Sequence, residues 1–275
     1  MLRLLNIEIH KLKYNRASRV LILIYFILLT SIALIAAVKF DIGPVKFHLA
    51  EQGIFNFPYI WHFNTFMASI FKFFLLLVIV SMMANEYSNK TLKQNLIDGL
   101  SKREFVLSKF YTVILLALIS TIFVFIVSLI LGYIYSDFTE FSIVTTDLEY
   151  LLAFFVKLVA FFSFGLFLGI LVKRSAFAVG AMLIWAMFES FVKGMLYWKS
   201  EDNVERIMQF FPLEAMSNLI KEPFTRLSAV KTVAKQVGEN LSKDFSVQPL
   251  DILIVIIWTI IFIYLSYALL KKRDL

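Results

Sequence analysis

The chain has 275 residues, with 27 Lys and Arg against 20 Asp and Glu, and a formal net charge of +7. Its residues are 60% hydrophobic and only 17% charged, whereas soluble globular proteins are about half apolar and a quarter charged. This composition excludes a water-soluble enzyme, a disordered chain and a nucleic-acid-binding domain. It predicts a polytopic membrane protein, in which an excess of basic residues indicates orientation rather than nucleic-acid binding.

Residues 1–19 predict a basic amphipathic helix. Four apolar residues recur at spacings of three and four along one face: Leu2, Leu5, Ile9 and Leu12. Asn6, His10 and Lys13 fall on another face. Such a helix can lie at the headgroup level with its bases toward anionic lipid. The alternative is a basic tail that is helical without lying at the interface.

Six continuously apolar stretches are long enough to cross a hydrocarbon core of about 30 Å as helices. They are residues 20–38, 63–84, 110–135, 150–172, 176–197 and 250–270. Fifteen basic residues fall in segments 1–19, 85–109, 173–174 and 271–273, which all lie on one side of these spans. The positive-inside rule places that side, and with it both termini, in the cytoplasm.

Local signals support the edges of these spans. Ser101 and Glu104 form a capping-box pattern just before an apolar run, so the third helix should begin well before its membrane segment. Thr146 and Glu149 form the same pattern before the fourth span. Pro249, followed by an acidic residue, suits the first turn of the sixth helix.

The segment 85–109 between the second and third spans predicts a short helix over about residues 89–98. In that helix Leu92 and Leu96 lie on one face, and Asp98 with Gly99 ends it. A short cytoplasmic helix held between two membrane helices is a suitable contact for a partner protein. The alternative is an ordinary polar connector, although connectors are commonly shorter.

The residues of this segment follow a pattern: an acid after the second span, then Thr-Leu, a second Leu, a turn, and a basic-Glu-Phe stretch that ends in Lys. They are Glu86, Thr91, Leu92, Leu96, Gly99, Arg103, Glu104, Phe105 and Lys109. In this pattern the chain resembles the permease subunits of ABC-2-type exporters. The six spans, the inside termini and the basic amphipathic start extend the resemblance over nearly the whole chain.

The resemblance implies an all-α polytopic fold in which residues 1–275 form one transmembrane permease domain. It also implies that the loop 85–109 carries a coupling helix that docks on a separate ATP-binding subunit. The residues to which this contact would fall are Glu86, Lys90, Thr91, Leu92, Gln94, Leu96, Gly99 and Arg103. ATP and Mg²⁺ would then bind to that partner, a dimer, and this chain would carry no cofactor.

The same resemblance implies a second permease copy, or a homologue, as a further partner in the lipid bilayer, and no nucleic acid. Six spans without a fused ATPase domain suit a complex in the bacterial inner membrane. The loop 198–249 would be extracytoplasmic. In the family, short helices after the fifth span dip back into the outer leaflet, and here Phe210, Phe211 and Pro212 are the candidates. Residues 221–248 fit a small helical subdomain and a solvated loop equally well.

Four ionisable residues fall within the predicted spans: Lys72, Lys157, Glu189 and Lys193. Glu189 and Lys193 are four apart, which lets them pair on one helix face. Buried charges are costly in a membrane, so these residues are candidates to line a pathway or a subunit interface. The alternative, for Lys157 and Lys193 above all, is snorkelling to the membrane surface.

Gly165 and Gly169 form a small-xxx-small pattern that allows close helix packing, within or between subunits.

The sequence lacks the motifs of an enzyme. There is no G-x-x-x-x-G-K-[ST] loop for ATP, no H-E-x-x-H and no G-x-S-x-G. The chain has no Cys, and its three His are too far apart in sequence to suggest a metal site. A Ser–Lys pairing is the one intramembrane catalytic arrangement that the residues leave open. The alternative to a permease is a membrane scaffold or sensor without a transport path.

Overall fold

The computed structural model describes residues 2–37, 39–42, 45–48, 53–199, 203–226, 230 and 244–273. In chain order its helices are α1 (Leu2–Tyr14), α2 (Arg16–Ala37), α3 (Tyr59–Ile70), α4 (Lys72–Ser88), α5 (Thr91–Ile97), α6 (Lys102–Tyr135), α7 (Phe141–Val144), α8 (Glu149–Val172), α9 (Ser175–Lys199), α10 (Val204–Met208), α11 (Pro212–Asn218) and α12 (Pro249–Lys272). The strands β1 (Lys39–Ile42) and β2 (Val45–His48) form an antiparallel hairpin between α2 and α3. Phe224–Arg226 form a 3₁₀ turn.

Four of the described helices are long and apolar enough to cross a membrane: α6, α8 with the short α7 before it, α9 and α12. The pair α3 and α4 makes a fifth if two helices bent by 45° are counted as one span. The helix α2 has 22 residues and covers the first predicted span except Val38, which lies outside the described residues. The helical fold with several membrane-length helices agrees with the sequence prediction.

The helix α8 lies at the centre of the bundle. In its most apolar stretch 72% of the residues are buried inside the protein, against 17% in α9. Phe154, Phe162 and Phe164 of α8 are almost completely inaccessible. Phe164 stacks on Phe262 of α12 with ring centroids 4.5 Å apart. Aromatic packing around α8 therefore joins α12 to the rest of the bundle.

The small-xxx-small pattern brings α4 against α8 within one chain. A Cβ added at Gly165 would overlap Leu76 Cδ1, and one added at Gly169 would lie 3.1 Å from Met83 Cβ. Leu76 and Met83 both belong to α4. The two glycines therefore serve an intramolecular contact, which decides between the two alternatives that the sequence left open.

We expect Gly165→Ala to lower the unfolding temperature of the purified protein. The added methyl group overpacks the contact with Leu76, which costs about 1–3 kcal/mol. Gly180 of α9 provides the matched control, because a Cβ there meets no described atom within 4 Å. Gly180→Ala should leave stability unchanged or raise it by up to about 1 kcal/mol through helix propensity. Equal unfolding temperatures for the two variants in a mild detergent would contradict the close α4–α8 packing.

Two of the three predicted helix starts are confirmed. The Ser101 hydroxyl accepts the Glu104 N–H, and the Glu104 carboxylate accepts the Ser101 N–H, so the capping box opens α6. Pro249 is the first residue of α12. The predicted box at Thr146 is wrong, because α8 begins after Leu148 without a side-chain cap. Instead the Thr146 hydroxyl donates to the carbonyl of Ser142 in α7.

Candidate functional site

Four charged side chains from three helices meet at the end of the bundle that carries α5. They are Glu8 and Lys11 of α1, Glu86 of α4 and Lys109 of α6, and we call them the inner ion cluster. Lys109 Nζ lies 2.5 Å from Glu86 Oε1 and 2.6 Å from Glu8 Oε2. Lys11 Nζ lies 2.7 Å from Glu86 Oε1. The two acids balance the two bases, so the cluster carries no net charge.

Three of the four side chains in the inner ion cluster are buried. The side chains of Lys109, Glu86 and Glu8 are 0%, 3% and 5% exposed. Buried charges are tolerated when they are paired and hydrogen-bonded. Burial acts to lower the pKa of Lys11, but the carboxylates of Glu86 and Glu8 outweigh that effect and raise its pKa above the usual value. The cluster therefore connects α1, α4 and α6 through buried charges that neutralise one another.

Thr91 connects this cluster to α5. Its Oγ1 donates to Glu86 Oε2 over 2.5 Å, so the first residue of α5 is held by the last turn of α4. Glu86, Thr91 and Lys109 all belong to the sequence pattern described above for the segment 85–109. The structure brings them into one hydrogen-bonded group, although they spread over more than twenty positions in the sequence.

The helix α1 is present as predicted, and its buried side includes Glu8 as well as Leu12 of the predicted apolar stripe, whereas Ile9 of that stripe is 38% exposed. The sequence reasoning missed Glu8. It is the only acid among the 19 residues of an otherwise basic segment, and that isolated acid was the available signal.

The short predicted helix is confirmed as α5, although it starts two residues later and has only seven residues. Gly99 follows it with a φ of +95°, a left-handed conformation that suits glycine. Leu92 and Leu96 lie on one face as predicted, but that face points into the bundle. Leu92 is 2% exposed, and Leu96 packs against the same core.

The face of α5 that points away from the bundle is therefore a different set of residues. We call it the α5 outer face: Lys90, Lys93, Gln94, Ile97 and Asp98, which are all exposed. Ile97 is 69% exposed, an apolar side chain surrounded by polar neighbours. Arg103, at the start of α6, is also exposed. Of the predicted contact residues, Lys90, Gln94, Gly99 and Arg103 can meet a partner, whereas Glu86 and Leu92 are buried inside the chain.

Two grooves flank this region, and Lys11 lines both. One has a volume of about 460 Å³ and lies between α1 and the α5–α6 turn, with Arg3, Asn95, Asp98 and Glu104 in its walls. The other has a volume of about 300 Å³ and lies beside the α1–α2 junction, near Asn15 and Asn89. The α5 end of the bundle is therefore an uneven, largely polar surface rather than a flat one.

A second polar group lies at the opposite end, where α9 meets α11. The Glu189 carboxylate accepts the backbone N–H groups of Leu213 and Glu214 over 3.1 and 2.9 Å, and it accepts Trp185 Nε1 over 2.6 Å. Lys193 Nζ lies 2.6 Å from Glu214 Oε1. The predicted Glu189–Lys193 pair is wrong, because each side chain finds its partner on α11 instead.

Glu189 acts as a cap supplied by another helix. The helix α11 begins at the buried Pro212. The preceding residue, Phe211, provides no side-chain cap for the helix. Phe210 is 57% exposed, and its carbonyl accepts Trp258 Nε1 over 2.9 Å. The short helix predicted around these residues is present, and the contacts of Glu189 and Trp258 hold it against α9 and α12. Residues 227–229 and 231–243 of the same loop lie outside the described residues.

We expect Glu189→Ala to destabilise the protein by about 1–3 kcal/mol, because two backbone donors and an indole N–H lose their acceptor. Glu189→Gln keeps one carbonyl oxygen and should cost less. Ser190→Ala is the matched control, since Ser190 is exposed and donates only to the carbonyl of Ala186 in its own helix. Thermal unfolding in mild detergent checks the order, and a Glu189→Ala variant as stable as Ser190→Ala would contradict the capping role.

Lys72 and Lys157 are the two other lysines of the predicted spans, and Lys72 lies at the bend between α3 and α4. Lys72 is the first residue of α4, and its Nζ lies 4.4 Å from the centre of the Phe161 ring. Lys157 is 3% exposed, so its side chain stays inside the bundle and does not snorkel to an edge. Among the described residues, no group of three or more His, Asp or Glu is placed to hold a metal ion.

Comparison with known proteins places the chain in a family. Residues 52–275 match the model of a family described as "Protein of unknown function (DUF2705)". The match covers most of the chain, so the chain belongs to that family. The matched segment includes Glu86, α5 and Lys109 but not Glu8 and Lys11. No curated protein matches the chain.

Proposed function

We propose that this member of the DUF2705 family is the permease subunit of an ATP-driven ABC transporter of the exporter type. In this proposal the spans are α2, the bent pair α3–α4, α6, α8, α9 and α12, with both termini in the cytoplasm. The α5 end of the bundle then faces the cytoplasm, and α7 and α11 face the other side. A separate ATP-binding dimer, with ATP and Mg²⁺, docks at the α5 end.

The observation that carries the proposal is the attachment of α5. A seven-residue helix is too short to be stable alone. Here Thr91 is bonded to Glu86, Leu92 is buried, and Glu86 belongs to the inner ion cluster. A partner that displaces the α5 outer face would therefore also displace α1, α4 and α6 through these contacts. That arrangement suits a coupling element, and a plain connector has no need of it.

Transport requires two arrangements of the spans that the nucleotide state of the partner selects. ATP binding would bring the two ATP-binding subunits together, and α5 would transmit that movement to α4 and α6. The cargo would cross between this permease and a second permease copy or a homologue. Nothing in this chain needs to bind ATP, which agrees with the absence of a G-x-x-x-x-G-K-[ST] loop from its sequence.

The proposal is tested by affinity purification of the chain from its native membrane in a mild detergent. We expect an ATP-binding protein to co-purify in stoichiometric amount and the preparation to hydrolyse ATP. The supporting proposal of a bacterial inner membrane is checked in the same fractionation. A preparation without an ATP-binding protein, in a detergent that preserves known transporter complexes, would contradict the proposal and favour a scaffold or sensor.

A further inference from the structure

The bend between α3 and α4 leaves a helix start inside the apolar part of the protein. Phe71 separates the two helices, and its N–H bonds back to Ala68. The helix α4 begins at Lys72 and has no side-chain cap. Uncapped N–H groups at the start of a 17-residue helix attract negative charge. About 18 Å of helix separates this point from Ala84 at the predicted cytoplasmic edge, which places it at membrane depth.

The buried side chain of Lys157 is a second feature of the region around the bend. Lys157 is 3% exposed and has neither an ion pair nor a hydrogen bond with any described residue. A lysine side chain placed so far inside the protein is costly, so such a residue usually serves a bound ligand or a pathway. Lys157 lies one helical turn before Phe161, whose ring centre is 4.4 Å from Lys72 Nζ.

The position of Lys157 follows from the face of α8 on which it lies. Tyr150, Lys157 and Phe161 are spaced by seven and four residues, which places them on one helix face. Tyr150 stacks on His62 of α3 with ring centroids 4.3 Å apart. Phe161 lies under the ammonium group of Lys72 at the start of α4. Lys157, between them, therefore faces the last turns of α3 and the bend.

We propose that the α3–α4 bend, with Lys72, Lys157 and the start of α4, binds the phosphate-type oxyanion of an amphiphilic molecule. Two ammonium groups, one of them on the first residue of α4, and the N-terminus of α4 supply positive charge at the bend. Lysine binds phosphate as a point charge, and broken membrane helices commonly direct their N-termini at anionic groups.

The surroundings of the bend favour an amphiphile over a small soluble anion. Ile70 and Phe73 beside it are 49% and 42% exposed. Phe73 also packs edge-on against Phe161 with centroids 5.2 Å apart. An approaching molecule therefore meets apolar and aromatic side chains before it reaches the two lysines. The binding does not require an ATP-binding partner, so it can hold or fail independently of the proposed function.

The test is lipid retention by the purified full chain, measured by native mass spectrometry. Phosphatidic acid, phosphatidylcholine and inorganic phosphate are offered separately. We expect selective retention of phosphatidic acid over phosphatidylcholine, and a loss of about tenfold in affinity for Lys72→Met and for Lys157→Met. Lys157→Arg should retain binding. Lys93→Met, on the α5 outer face, is the charge-matched control and should bind like the unmodified protein.

The three ligands distinguish the sources of the oxyanion. Lysine-dependent binding of phosphatidic acid alone assigns the site to a lipid headgroup, and lysine-dependent binding of inorganic phosphate assigns it to a free anion. Both results support an oxyanion site at the bend. Unchanged phosphatidic acid binding in Lys72→Met and Lys157→Met, or an equal loss in Lys93→Met, overturns it. Thermal unfolding of Lys157→Met verifies folding, and we expect no loss of stability, because an apolar side chain of similar length replaces a charged one inside the bundle.

Discussion

Replacing Ile97 with glutamate is expected to abolish co-purification of the ATP-binding subunit and to leave the fold of the chain unchanged. Ile97 is 69% exposed and is the one apolar residue of the α5 outer face. A glutamate at this position would bury an unpaired charge against a docked partner, which costs about 2 kcal/mol or more and weakens binding about thirtyfold or more. A charge at this position should not affect folding, because surface substitutions usually change stability by less than about 0.5 kcal/mol.

The matched variant is Leu92→Glu in the same helix. Leu92 is 2% exposed and belongs to the core, so a glutamate there would bury an unpaired charge at a cost of several kcal/mol. We expect this variant to lose thermal stability and partner binding together. Comparison of complex yield and unfolding temperature for the two variants separates docking from folding. Normal complex yield for Ile97→Glu would show that the partner does not use the α5 outer face.

Replacing Lys109 with methionine is expected to destabilise the protein by about 3–5 kcal/mol, the usual cost of removing one member of a buried ion pair. The substitution leaves Glu8 and Glu86 buried near each other with Lys11 as their single base. Lys93→Met removes an exposed charge and should change stability by less than about 0.5 kcal/mol. Chemical unfolding in mild detergent gives both values.

A second substitution tests whether charge balance is the cause. In Lys109→Met with Glu8→Gln, the remaining pair of Glu86 and Lys11 is again neutral. We expect the double variant to have a higher free energy of unfolding than Lys109→Met alone. A double-mutant cycle should then give a coupling energy of about 1 kcal/mol or more between Lys109 and Glu8. Additive or greater destabilisation would mean that Lys109 acts through packing rather than through the charges of the inner ion cluster.

The long helices could be predicted because the thickness of a bilayer sets the length of an apolar run. The starts of α8 and α9 and the end of α6 lie within a residue of the predicted bounds. The bend at Phe71 could not be predicted in this way, because residues 63–84 contain no Pro or Gly. The only charged residue in that run is Lys72, and its charge makes it a candidate pathway residue without indicating a break in the helix.

The contacts of charged residues were harder to predict than their positions. Glu189 and Lys193 were paired by a rule that holds on an isolated helix. In the folded chain α11 offers Glu189 two backbone N–H groups and offers Lys193 the carboxylate of Glu214, and both partners are absent from local sequence. Leu92 and Leu96 share a face as expected, but periodicity does not tell whether an apolar face meets the bundle or a partner.

The most direct test of the central claim uses the absence of cysteine from the chain. Asp98→Cys on the α5 outer face and Ser142→Cys on α7 each provide a single exposed thiol, at opposite ends of the bundle. Each is labelled with a photo-crosslinker in native membranes, and the covalent products are identified after illumination. A permease driven by a separate ATPase predicts a crosslinked ATP-binding protein from position 98 and none from position 142. No such product from position 98, or equal products from both positions, would contradict the account.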